Sequence, residues 1–326
     1  MKGLTFNRLQ CGASCSQESI NKLFTTFICL GPVPRTCLDL INVTSNEAYN
    51  ASLEPYLREV DREIEAFIAK GGRETIAHTV DHNASHHMAI ICPTGTGYSY
   101  TAQIITRWIA YRFYEKAMEH SPHDCFLLFK HLSRQSSLRT AAGWFFEGYV
   151  HDWLRSGGTF EADQIPILED HTSHFQFHTV KDKSSSPNYF TTPATLAEQV
   201  KGINGHGMDP EILQTYFLPF SCNYQSVDGL MFPDPTTLIL FQITLARHHE
   251  IKAPGVVQLL QALPETIKNL YFVFIVSEER AEDYARAQRV PDQVSFGTRG
   301  QSLCLKQFRV VFGDESMQSV AVRGVV

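Results

Sequence analysis

Two apolar runs in the last third of the chain constrain its fold more than any other feature. Thr236 to Ala246 reads T-T-L-I-L-F-Q-I-T-L-A, and Leu270 to Val276 is apolar throughout. Strands covered on both faces read as continuous hydrophobic runs, so both segments are predicted to lie centrally in a sheet. Between them, Pro254 to Leu263 places Val257, Leu260 and Leu263 on one side of a short helix. Ahead of them, Asn223 to Phe232 reads as a strand. Pro233-Asp234-Pro235 is its turn into the next, because proline has no N–H to give to a central ladder.

The remaining elements follow from periodicity. Leu138, Ala142, Phe145, Phe146, Tyr149, Val150 and Trp153 form one apolar stripe, predicting a helix from near Ser136 to the Gly157-Gly158 stop. His174 to Val180 alternates as a strand does. Glu278 to Gln288 reads as a charged surface helix and Leu303 to Phe312 as a last strand. In the N-terminal part, Leu53, Leu57, Val60, Ile64, Phe67 and Ile68 predict a helix from about Ser52 to Lys70. Met88 to Cys92 reads as a short strand and Thr101 to Glu119 as a second helix, while residues 1–45 have weak periodicity. The expectation is an α/β protein with two parts: a mainly helical region over 1–120 and a sheet-containing domain over 121–326.

Composition excludes several classes. The net charge is −6 and neither half is basic, which argues against strong indiscriminate nucleic-acid binding. The eight cysteines are scattered without C-x-x-C pairs and read as reduced thiols. The start, Met1-Lys2-Gly3-Leu4-Thr5-Phe6, lacks the apolar core of a signal peptide, and no apolar run is long enough to span a bilayer. The expected location is cytoplasmic or nuclear, with no membrane partner. No nucleotide is expected either: Gly95-Thr96-Gly97 lacks the lysine and the span of a phosphate loop. His171, His174 and His178 could project two imidazoles on one side of a strand; solvated or satisfied histidines are the plainer reading.

From Ser136 onward the order is helix, strand, strand, strand, helix, strand, the αβββαβ order of the PD-(D/E)-x-K restriction-endonuclease-like core. In that arrangement an aspartate and an acidic or amide residue on the next strand hold a divalent cation, and a residue two positions on orients the attack. Mg²⁺ calls for hard oxygen ligands and polarises the phosphoryl group. Here Asp228 and Gln242 occupy the two strands, with Glu147 on the first helix as a third metal ligand and Ile243 offering a backbone carbonyl. Thr244 stands two after Gln242, where lysine is usual, and His248 and Lys252 are the nearest basic groups. Each residue also has a plainer reading. Asp228-Gly229 reads as strand-end punctuation, Glu147 with His151 as a surface i,i+4 pair, and His248-His249 as a solvated turn. A buried Gln242 must find partners in any case, Tyr224 or Asp228 being the nearest.

Three segments carry a family resemblance. They are Ser137 to Glu147 with His151, then Phe217-Leu218-Pro219 with Asn223 and Val227-Asp228-Gly229-Leu230, then Leu240 to Thr244 with His248 or His249, Ile251-Lys252 and Gly255, leading into Tyr271 to Phe274. In this order they resemble the C-terminal domain of fungal Crinkler and retrotransposon-hot-spot (RHS-like) proteins, over roughly residues 122–276. The resemblance implies a restriction-endonuclease-like fold and a toxin or effector setting, often acting on DNA in the nucleus; the expected partner is DNA or RNA. Gly31-Pro32-Val33-Pro34-Arg35 resembles a segment late in the family's P-loop ATPase, and the resemblance leads to the expectation that this chain begins after the phosphate loop. Two functions follow as expectations: a Mg²⁺-dependent nuclease acting on phosphodiesters, or a catalytically inactive nuclease-like module that binds a protein partner.

Overall fold

The computed structural model describes residues 16–31, 41–69, 87–93, 100–134, 138–166, 173–182, 187–202, 207–220, 224, 227–290, 296–298 and 301–323. The chain forms two compact units, Met1–Phe145 and Phe146–Val326. The phosphate-loop-like Gly95-Thr96-Gly97, His171, Asn223 and the Pro32–Arg35 segment lie outside the described residues.

Among its described residues the first unit is helical apart from one hairpin. Helix α1 (Gln17–Leu30) starts at Ser16, whose hydroxyl accepts from the Ser19 N–H, and stops at Gly31, whose φ of +91° suits glycine. It occupies a stretch where the sequence shows only weak periodicity. Helix α2 (Asn46–Ala69) begins six residues before the predicted start and buries Tyr56, Val60 and Ile64. Strands β1 (Ala89–Pro93) and β2 (Tyr100–Ile104) pair antiparallel. Residues 101–104, predicted helical, are therefore strand, and helix α3 (Arg107–His120) begins where the Thr106 hydroxyl caps the Ile109 N–H. Helix α4 (Pro122–Arg134) follows. Helices α2 and α3 are tied by Arg112 to Asp61 at 2.6 Å and Lys116 to Glu65 at 2.8 Å. Helix α5 (Arg139–Arg155) carries the predicted apolar stripe.

The second unit is a mixed α/β fold built on one eight-stranded sheet. Its strands are β3 (Gly158–Gln164), β4 (His174–Thr179), β5 (Asn188–Phe190), β6 (Tyr216–Pro219), β7 (Gly229–Asp234), β8 (Thr237–Thr244), β9 (Asn269–Val276) and a later strand at Leu305–Val311. A small hairpin, β10 (Phe296–Thr298) with β11 (Gln301–Leu303), precedes that last strand, which is β12. The order across the sheet is β4-β3-β12-β9-β8-β7-β6-β5. Strands β8, β9 and β12 run parallel, while β6, β7 and β8 form an antiparallel meander. Helices α6 (Pro193–Val200) and α7 (Ala253–Ala262) cover one face, and α8 (Asp314–Arg323) ends the described chain. Every residue of β8 is buried, as its unbroken apolar run predicts.

The sheet curls. Phe177 on the edge strand β4 comes back over the middle of the sheet, its ring 5.4 Å from that of Phe241 on β8. The Val180 N–H, just after β4, donates to Gln214 O, and the Gln214 N–H donates to Phe232 O on β7. The twist of adjacent strands accumulates over eight of them, which brings an edge towards the centre.

Three sequence expectations are corrected here. Residues 174–179 do not lead into the hairpin; β4 pairs with β3 at the far edge, and the neighbour of β7 is the four-residue β6. Strand β7 runs on through Pro233 and Asp234, so the turn lies at Pro235-Thr236. The register shifts between Met231 and Asp234, an irregularity of the kind where a proline without an N–H is tolerated, and Asp234 Oδ1 accepts from both Thr236 N and Thr236 Oγ1. The predicted helix over 278–288 is two 3-10 turns, Glu278–Arg280 and Glu282–Tyr284. Tyr284 is the one buried hydrophobic residue over 278–288, too little apolar surface to hold a full helix on the sheet.

Candidate functional site

Asp228 and Gln242 meet at the end of the sheet where β7 begins and β8 finishes. Strand β7 runs antiparallel to β8, with Gly229 opposite Phe241, so Asp228 falls beside Gln242 and Ile243. Asp228 is 9% exposed and Gln242 6%. The Asp228 carboxylate oxygen Oδ2 accepts from Gln242 Nε2 and from the Ile243 N–H at 2.8 Å, while the Asp228 N–H donates to Phe241 O at 2.8 Å. A carboxylate can only accept, so Gln242 must turn its NH₂ towards it. The buried amide has found the Asp228 partner rather than Tyr224.

The other candidates take different places. Thr244 closes β8 with its hydroxyl accepting from the Ala246 N–H at 3.0 Å. It also lies within hydrogen-bonding reach of Tyr284, a fully buried phenol that burial pushes up to about 12 and the Thr244 contact draws back slightly. His248 is exposed and lines a cleft with Glu250, Glu282, Arg286 and Gln288. Its neighbour His249 is the half-buried one that feels the Asp228 charge. Burial lowers the His249 pKa below its ordinary value, Asp228 opposes this, and the Lys252 ammonium adds to it. Lys252 is exposed at the N-cap of α7. Of the basic groups near the end of β8, His249 is the one whose electrostatics register both Asp228 and Lys252.

Glu147 belongs to a second polar system. It is not a surface residue: Glu147 Oε1 lies 3.2 Å from His151 Nε2, and His151 Nδ1 lies 2.9 Å from Tyr216 Oη. His151 is 6% exposed and Tyr216 is fully buried. Spacing of i,i+4 on α5 sets the first contact. The second joins residues 65 positions apart and could not be read from either segment alone. Tyr216 stands directly against Gly229. A Cβ added there would fall inside van der Waals contact of Tyr216 Oη and Cζ and 2.7 Å from Cε2, so the residue after Asp228 has to be glycine for the phenol to sit where it does.

Mg²⁺ prefers a near-octahedral shell of oxygen ligands, commonly from more than one carboxylate. Asp228 Oδ2 is already accepting two hydrogen bonds, Gln242 faces it with nitrogen rather than with its carbonyl, and Glu147 is paired with His151. Among the described residues no three His, Cys, Asp or Glu side chains converge as a metal-holding group. As placed, Asp228 Oδ2, Gln242 and Glu147 are engaged with protein partners, and Gln242 would have to turn its carbonyl towards a cation to ligate it. The exposed His174 and His178 do not form a metal-holding group either: His174 pairs with Asp163 at 2.8 Å and His178 with Thr159 at 3.2 Å, four residues apart along β4. At about 3.3 Å per residue that separates them by about 13 Å, too far for one ion.

Among the described residues no helix is long and apolar enough to cross a membrane. Comparison of the chain with protein-family models, with curated proteins and with solved structures returned no match.

Proposed function

We propose that the second unit is a nuclease-like module of the Crinkler and RHS-like type that does not cleave and works by binding a partner. The observation that carries this reading is the engagement of Asp228. Its carboxylate holds the head of β7 to the end of β8 through Gln242 and the Ile243 N–H, a structural use of the residue on which cleavage would depend. Thr244 in the place of lysine supports it, since a neutral hydroxyl satisfied by Ala246 offers no charge to a phosphoryl transition state.

The test is incubation of the full chain with supercoiled plasmid and with RNA over a series of Mg²⁺ and Mn²⁺ concentrations, alongside Asp228→Ala. The proposal expects both substrates uncut and no cation-dependent thermal shift in either protein. A second reading, the metal-dependent nuclease, is favoured by the adjacency of Asp228 and Gln242 with His249 and Lys252 in their field. Nicking that needs a divalent cation and is lost in Asp228→Ala would establish it in place of the first.

A further inference from the structure

The chain leaves strands β8 and β9 at the same end of the sheet, because the two run parallel. Open α/β sheets take up ligands outside the carboxyl ends of such strands. Here the two departing loops enclose a cleft of about 790 Å³, within the range of ordinary ligand sites. His248 and Glu250 line it from one loop, and Glu282, Asp283, Arg286 and Arg289 from the other. Its walls are fixed to each other. Arg280 Nε donates to Leu245 O at 3.1 Å, and Tyr284 Oη donates to Ala246 O at 3.3 Å. The His249 N–H donates to Gln288 Oε1 at 3.1 Å, and the Ile251 N–H to Arg289 O at 3.1 Å. Gln288 is bound both ways to Gln307 of β12: its N–H donates to Gln307 Oε1 at 2.7 Å, and its carbonyl accepts from Gln307 Nε2 at 2.9 Å. Both glutamines are buried, where an unpaired amide is costly, so a charged surface loop is anchored by interior hydrogen bonds.

We propose that this cleft receives a short peptide segment of the partner, one that carries a carboxylate and a basic side chain close together. The lining offers both signs. Among the described residues the side chains of Arg286 and Glu282 have no hydrogen-bond or ion-pair partner, which leaves both to a ligand. Arg286 presents the planar fork that takes a carboxylate through two parallel hydrogen bonds, and Glu282 accepts from the cation. Arg289 and Glu250 stand 3.9 Å apart and are both exposed, a loose pair that costs little to open. Asp283 is turned towards Arg280 at 3.3 Å. The charges also select the class of ligand. Three carboxylates against two arginines repel the continuous anion of a nucleic-acid backbone, and so charged a lining does not suit an apolar small molecule. A mixed-charge peptide satisfies both signs. This inference rests on the binding reading above and gives the partner its chemistry.

The full chain, deuterated and ¹⁵N-labelled, is titrated by NMR with end-blocked glycine-based peptides and with a single-stranded oligonucleotide. The peptides carry one aspartate and one lysine, two aspartates, or two lysines. The mixed peptide is expected to shift the amides of residues 248–250 and 282–289, and to bind about fivefold more tightly than either like-charged one. Arg286→Gln and Glu282→Gln each weaken it by about fivefold, the loss of one charge-assisted contact. Arg247→Gln removes an exposed arginine outside the lining and leaves binding unchanged. The same spectra show whether each variant is folded. Silent cleft amides, like-charged peptides that bind as well as the mixed one, or Arg286→Gln and Glu282→Gln proteins that bind like the parent each overturn the cleft proposal alone. An oligonucleotide that displaces the peptide from these amides overturns it in favour of nucleic acid. Cation-dependent nicking of plasmid, measured separately, removes the binding reading and the peptide partner with it.

Discussion

Replacing Gly229 with alanine adds one methyl group at a crowded point of the second unit. The new Cβ would lie 2.7 Å from Tyr216 Cε2 and closer still to Cζ and Oη, where ordinary contacts begin near 3.4 Å. Tyr216 cannot swing away freely, because Phe241 meets its ring at 5.6 Å and His151 holds its hydroxyl at 2.9 Å. The ring must shift by the better part of an ångström. Overpacking of this kind costs about 1–3 kcal/mol and losing the His151 hydrogen bond about 1 kcal/mol more, so about 2–4 kcal/mol in all. At about 2–4 °C per kcal/mol for a unit of this size, the melting temperature of the second unit falls by about 4–16 °C. Gly143 supplies the opposite case. An added Cβ there meets nothing within 4 Å, and it lies inside helix α5. Gly143→Ala should stabilise by about 0.5–1 kcal/mol through helix propensity. Differential scanning calorimetry of both variants measures each effect. A Gly229→Ala protein melting within 1 °C of the parent, or two variants shifting alike, would refute the steric reasoning.

Two further outcomes follow from the same end of the sheet. Asp228→Ala strands the Gln242 amide and the Ile243 N–H in a buried site, so urea denaturation should show a loss of about 1–3 kcal/mol, with Asp228→Asn losing less. An Asp228→Ala protein as stable as the parent removes the structural role assigned to that carboxylate. His249, whose pKa burial lowers, binds its proton more readily in the unfolded chain than in the folded one. Stability from this residue is therefore complete above the ordinary histidine range and declines as pH falls through that range towards the folded value. His249→Gln should flatten the dependence of the denaturation midpoint on pH between about 7 and 5, and an unchanged slope speaks against the burial argument.

What the sequence disclosed and what it hid divide along physical lines. Strands β8 and β9 were plain because burial on both faces leaves no room for polar residues, which also made Gln242 conspicuous and its need for a partner predictable. Helix α5 was plain from its stripe. Strand β6 escaped because four residues are too few to show a period, and β3 because its alternation rests on only two apolar residues, Phe160 and Ala162. Adjacent histidines look alike in a sequence. Only the path of the chain after β8 decides that His249 is half-buried within the influence of the Asp228 charge while His248 is exposed. The Glu147–His151 pair was visible as a spacing, yet its burial depends on Tyr216, which comes from a stretch with no clear pattern.

Strand β12 lies between β9 and β3, pairing with one strand in parallel and the other antiparallel. Arg309 reaches back across 146 positions to Asp163. During synthesis the apolar strand β9 must therefore wait, one edge bare, until residues 305–311 have left the ribosome. Few local contacts can protect it in that interval, so the unit should fold late and slowly. A nascent or clipped chain ending before β12 would offer β9 to other chains as a template for aggregation.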